Sequence, residues 1–130
     1  MREDGKPWQL AVVEDDDSLR NAIIRMLKAC QWHAVGFSTA EDFLSVAEWR
    51  DIDCLVLDLY LPGMSGFDLL AEIKDLGTRI PTILITAQDN TKIRLRVQNV
   101  GALYLPKPFT GASLMTMVQK CMGAPITKPQ

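Results

Sequence analysis

No apolar stretch in this chain approaches the roughly 18 residues that a membrane-spanning helix needs. The start, Met1-Arg2-Glu3-Asp4-Gly5-Lys6, lacks the apolar core of a signal peptide. A cytoplasmic location without a membrane partner is therefore the expectation. Histidine occurs once, as His33, and has no spaced partner. The three cysteines, Cys30, Cys54 and Cys121, are odd in number and lack ligand spacing. They are expected to be buried thiols in a reducing compartment, and no zinc pattern is completed. A long basic run is missing too, and the formal net charge is -2. Direct nucleic-acid binding by this piece is not expected.

What remains is enough for one globular unit. The 130 residues are 48% hydrophobic and 23% charged, a balance that suits a single domain with a real core. Continuous apolar runs mark the strands. They are Leu10-Ala11-Val12-Val13, Cys54-Leu55-Val56-Leu57 and Thr82-Ile83-Leu84-Ile85-Thr86. Weak alternation is the mark of strands covered on both faces. Pro81 opens the last of these runs, where its missing N–H is tolerated. His33 to Phe37 and Tyr104-Leu105 are shorter candidates.

Helical stripes lie between the runs. One carries Leu19, Ile23, Met26 and Leu27, with Asp17 or Ser18 as its cap. Ser38 and Glu41 stand at capping-box spacing ahead of Phe43, Leu44 and Ala47. Leu69, Leu70 and Ile73 mark a helix over 66–76 that Gly77 stops. Residues 91–99 form a weaker stripe through Ile93, Val97 and Val100. The last helix, from about Thr110 to Cys121, turns Leu114, Met117, Val118 and Cys121 inward. Five strands alternating with five helices predict a doubly wound parallel α/β sheet with helices on both faces.

In such a fold the site lies beyond the carboxyl ends of the strands. Those ends carry Glu14-Asp15-Asp16, Asp58, Thr86 and Lys107. Clustered carboxylates repel unless a cation compensates. An all-oxygen ligand set favours a hard ion such as Mg²⁺, with Mn²⁺ as a substitute. Lys107 can add a second positive charge, and Thr86 can donate to a phosphoryl oxygen. The Asp58 carboxylate could then attack phosphorus. Singly, each residue is a common cap or turn residue; the order and register of all four point to phosphoryl chemistry. Trp8, Trp32 and Trp49 are read as ordinary packing, and Met115, Met117 and Met122 as fillers.

The runs Val12-Val13-Glu14-Asp15-Asp16, Leu57 to Gly66, Ile85-Thr86-Ala87 and Lys107-Pro108-Phe109 closely resemble the receiver domain of two-component response regulators. Details look similar to receivers that precede a DNA-binding output domain. The resemblance implies a flavodoxin-like (βα)5 fold with strand order 2-1-3-4-5. It implies Asp58 as the phosphoacceptor. Glu14, Asp15, Asp58 and the backbone carbonyl of Tyr60 would be the Mg²⁺ site, Glu14 acting largely through water. Thr86 and Lys107 would bind phosphoryl oxygens, and Thr86 and Tyr104 would be the switch pair. The implied partner is a sensor histidine kinase. A phosphorylation-dependent homodimer through helix 4, strand 5 and helix 5 would be the output, or a C-terminal DNA-binding domain in a longer protein.

The sequence departs from the family pattern at Glu14, where Asp is frequent, and in a Gly101-to-Lys107 interval one residue short. It also places the bulky Tyr60 two residues past Asp58 and Gln88 two past Thr86. Those two flank the expected water approach and are read as hydrolysis-rate modulators. Residues 1–8 are taken as an N-terminal extension, frayed over 1–7, with 9–122 as the receiver and 123–130 as a flexible tail or a truncated linker. Two other readings stand beside this one. One is a pseudo-receiver that works as an interaction module without phosphorylation. The other is a Mg²⁺-dependent hydrolase of small phosphorylated molecules, disfavoured because the acids of strand one are not arranged as a nucleophile-plus-acid pair within a strand-to-loop exit and Asp58 has no obvious substrate pocket around it.

Overall fold

Alternate residues of the central strands enter two different cores, which is the direct outcome of a period of two in strands that are covered on both faces. The computed structural model describes residues 2, 4–46 and 48–123. Its elements run β1 (Gln9–Val13), α1 (Asp17–Ala29), β2 (His33–Phe37), α2 (Ala40–Val46), a 3-10 turn (Trp49–Asp51), β3 (Cys54–Asp58), α3 (Gly66–Asp75), β4 (Thr82–Thr86), α4 (Thr91–Asn99), β5 (Leu103–Pro106) and α5 (Gly111–Cys121). All strand pairs are parallel, in the order β2-β1-β3-β4-β5. The expected doubly wound fold is therefore what the chain adopts.

On one face Ala11, Val13, Leu55, Leu57 and Leu84 meet Phe43 of α2, Leu69 and Ile73 of α3, and Val97 of α4. On the other, Leu10, Val12, Val56, Ile83 and Ile85 meet Ile23 and Leu27 of α1 and Leu114 and Val118 of α5. Strands β3 and β4 are buried at every residue, whereas β5 buries Leu105 alone. No helix among the described residues is long and apolar enough to cross a membrane.

Several local expectations shift. Asp16, not Asp17 or Ser18, caps α1, its carboxylate accepting from Leu19 N–H at 3.1 Å. Thr39, not Ser38, caps α2, accepting from Asp42 N–H at 3.0 Å. Any of these side chains can cap, and the backbone decides which one is not yet helical. Cys30 is exposed at the end of α1, Cys121 is half-buried, and Cys54 alone is fully buried. Val100 is exposed as well, because α4 ends one residue before it.

Gln9 N–H donates to Asp53 at 2.7 Å, and Arg2 lies 3.7 Å from the same carboxylate. Trp49 is buried in the 3-10 turn, and Trp8 and Trp32 pack half-buried on the second core. Ala47 and residues 124–130, expected as a core residue and as the tail, lie outside the described residues.

Candidate functional site

Parallel register is what gathers the candidate groups. Val13 stands beside Leu57, Asp58 beside Ile85 and Thr86 beside Pro106. The chains leaving β1, β3, β4 and β5 therefore deliver Glu14, Asp58, Thr86 and Lys107 to one edge. Main-chain bonds lock the delivery. Leu59 N–H donates to Ile85 O and Lys107 N–H to Thr86 O, both at 2.8 Å, while Glu14 N–H donates to Phe37 O at 3.0 Å.

Glu14 and Asp58 are buried, and Asp15 lies at the exposed rim. One carboxylate oxygen from each of the three comes within 4.8 Å of the others. The Lys107 ammonium answers two of them, at 2.8 Å from Glu14 Oε1 and 3.2 Å from Asp58 Oδ2. Burial opposes that ammonium, but the two carboxylates outweigh it and hold the Lys107 pKa above the ordinary lysine value. At Asp15, partial burial and then the neighbouring Glu14 raise the carboxyl above its ordinary value. Among the described residues Glu14 Oε1 makes no hydrogen bond of good geometry, and its one ion pair is with Lys107. A buried carboxylate oxygen served by one off-angle cation, among oxygen donors alone, fits a hard divalent ion.

Thr86 is fully buried. Its hydroxyl oxygen accepts from Gln88 N–H at 3.0 Å, which leaves its proton free to donate. Tyr60 N–H donates to Asp58 Oδ1 at 3.1 Å and steadies the carboxylate from behind. The Tyr60 ring is 51% exposed and crosses the loops, its hydroxyl 3.3 Å from Gln88 Oε1. Tyr104 is half-buried, with its hydroxyl 3.0 Å from both Gln88 O and Asp89 Oδ1. All eight expected residues thus gather at or beside the same edge.

Two glycines set the loop between β3 and α3. Gly63 takes φ +75°, and a Cβ there would stand 2.5 Å from Glu41 Oε2. At Gly66 a Cβ would stand 2.7 Å from the Asp58 carbonyl oxygen, so α3 can start against the strand end only without a side chain.

Residues 10–119 match the family described as the response regulator receiver domain. This chain belongs to that family. Among curated relatives, the receiver is 35% identical over 108 residues to nodulation protein W of Bradyrhizobium diazoefficiens, covering 82% of this chain and 48% of that protein. It is 28% identical to the transcriptional regulatory protein FixJ of Azorhizobium caulinodans, over 86% of this chain and 54% of that one. The chain spans about half the length of these relatives. Among solved structures, the non-phosphorylated HemR receiver domain from Leptospira biflexa superposes with a TM-score of 0.82 at 28% identity, over 96% of this receiver and 99% of that chain.

Three contributors have no motif that would have marked them. Arg20 of α1 donates to the Glu14 carbonyl at 2.8 Å and so fixes the acidic loop. Glu41 of α2 accepts from Met64 N–H at 3.0 Å and ties down the loop after Asp58. Asp89 binds Arg94 and Tyr104 together. Glu41 acts across loops 23 residues apart, in a contact that its capping-box spacing does not announce, whereas Arg20 and Asp89 reach Glu14 and Arg94, only six and five residues away, without any motif to mark them.

Proposed function

We propose that this receiver is a phosphorylation-operated switch in which a sensor histidine kinase transfers a phosphoryl group to Asp58. The observation that carries this reading is the Lys107 ammonium held between Glu14 and Asp58, with Thr86 on the adjoining strand. An Asp58 oxygen forms the new bond to phosphorus while the bond from phosphorus to the donor imidazole breaks. Lys107 then exchanges its contact with the carboxylate for one with a phosphoryl oxygen, and the free Thr86 proton binds another. Glu14, Asp15, Asp58 and the Tyr60 carbonyl would hold Mg²⁺, or Mn²⁺ in its place. When bound, that ion supplies charge that offsets the carboxylates and the incoming group. Water later attacks the phosphorus and restores the carboxylate.

The output we assign to the surface of α4, β5 and α5, which would shift between two states as Thr86 and Tyr104 move. Homodimerisation there, or control of a DNA-binding domain in a longer protein, is the consequence of this reading; the FixJ relative is named as a transcriptional regulatory protein. Residues 9–122 are the working unit of this reading, and the cytoplasm its compartment.

The test is phosphorylation by acetyl phosphate with Mg²⁺, followed by intact-protein mass. One phosphate should add to the wild type and none to Asp58→Asn; an unmodified wild type overturns the reading. We also assign Tyr60 and Gln88 a shielding role. Phosphate should leave Tyr60→Asn faster than wild type, and equal rates sink that assignment.

A further inference from the structure

The loop from β4 to α4 is held by a chain of side chains that core packing does not require. Asp89 receives both arms of the Arg94 guanidinium, from Nε at 2.7 Å and from Nη2 at 2.8 Å. The Tyr104 hydroxyl lies at 3.0 Å from Asp89 Oδ1 and equally from Gln88 O. The Arg94 guanidinium also sits 5.5 Å from the centre of the Tyr104 ring. Gln88 in turn reaches Thr86 through its N–H and Tyr60 through its side-chain oxygen. The links are therefore continuous from the outer surface of α4 to two residues beside the phosphoacceptor.

The Arg94 and Asp89 side chains are 58% and 38% exposed. Ion pairs so exposed add little to global stability. A bidentate guanidinium fork does fix geometry, because both oxygens of the carboxylate are constrained at once. The electrostatics agree. The Arg94 bonds hold Asp89 below the usual carboxylate range, and burial followed by Asp89 raises the Tyr104 phenol. The acceptor thus stays charged and the donor keeps its proton.

We infer that Asp89 and Arg94 are positioning residues that set how long phosphate stays on Asp58, acting through Tyr104 and Gln88. This rests on Asp58 being the phosphoacceptor. Without the pair, the loop no longer holds Gln88 against Tyr60, and water reaches the phosphoryl group more freely. The same linkage makes the exposed face of α4 a place from which that lifetime is controlled.

Two measurements decide it. The first loads the protein with acetyl phosphate and Mg²⁺, removes the donor and follows the loss of phosphate. Asp89→Ala and Arg94→Gln should each shorten the lifetime about threefold, the size of a modest coupling energy between touching residues. The double variant should lose phosphate no faster than either single one, because the pair acts as a unit. Unchanged lifetimes overturn the inference, and so does an additive double variant at roughly ninefold.

The second measurement needs no phosphate. With two tyrosines in the chain, Tyr60→Phe leaves Tyr104 as the single site for fluorotyrosine labelling. Its fluorine NMR signal should shift or broaden in Asp89→Ala and stay put in Lys92→Gln, a charge change elsewhere on α4. A Tyr104 signal that ignores Asp89→Ala overturns the positioning role alone. A wild type that accepts no phosphate overturns the receiver chemistry, and the lifetime claim with it.

Discussion

Helices α1 and α4 both lead out of the carboxyl edge of the sheet, yet they are held there very differently. Over 13 residues α1 buries Ile23 and Leu27 completely and adds Leu19 and Met26 at the margin. The nine residues of α4 bury Val97 alone and leave Leu95 in solvent. The acids follow the same division. Glu14 and Asp58 extend from strands buried on both faces, whereas Tyr104 belongs to a strand that buries one residue in four. Regions with few buried apolar contacts open at lower free energy than the core. The difference teaches a division of labour. In the function proposed above, the chemistry would stand on the more deeply buried part, and its report would be made by the part held mainly through side-chain hydrogen bonds.

The most forceful way to break this comparison is to cut into both helices. Leu27→Ala on α1 should cost about 2–5 kcal/mol in urea unfolding, the range for a large core residue that leaves a cavity. Ile93→Ala on α4, only half-buried, should cost less than half as much, and equal costs would end the distinction. Next comes Gly66→Ala, which drives a methyl group into the Asp58 backbone. Overpacking of this kind costs about 1–3 kcal/mol. Because the strain falls on the strand end, phosphorylation by acetyl phosphate should slow as well; an unaffected rate would show that the fixed region has slack.

The smallest expected effect sharpens the comparison furthest. Asn90 caps α4, its side-chain oxygen 2.9 Å from Ile93 N–H. Removing it in Asn90→Ala should cost about 1 kcal/mol. Hydrogen exchange should accelerate in the amides of α4 and leave those of α1 unchanged. Acceleration spread over both helices would mean that the two open together.

How much of this was legible in the sequence follows from the range of each interaction. Strands β1, β3 and β4 were readable because burial on both faces writes an uninterrupted apolar run. Asp58, Thr86 and Lys107 were readable because a parallel sheet puts every strand end on one edge, so position along the chain reports position in space. Caps were readable only to within a residue, since Ser38 and Thr39 carry the same hydroxyl. The exposure of Cys30 and Val100 was not, because each lies at the last turn of its helix, where periodicity fails to say which way the chain leaves. Asp89 and Arg94 stand in no motif, and Glu41 is marked only as a helix-cap partner, not as the tether of the loop after Asp58. Glu41 finds its partner on another loop and Asp89 finds Arg94 five residues on, yet an exposed charge that pairs looks the same in sequence as one that meets only water.

Cys54 begins β3 in the cluster against which Cys121 packs, and that neighbouring thiol together with burial holds the Cys54 thiol well above the ordinary range. That contact places the last residue of α5 at the end of the sheet opposite Asp58. Leu10, two residues after Trp8, is registered directly beside Cys54, so the first strand starts at the same end. Strands of five residues separate that end from the carboxylates, a depth of roughly 16 Å at 3.3 Å per residue. A dye, a surface tether or a fused protein attached beyond either Trp8 or Cys121 would therefore hang from the far side of the molecule. Whatever it sensed there of Asp58 would have travelled the full length of the strands.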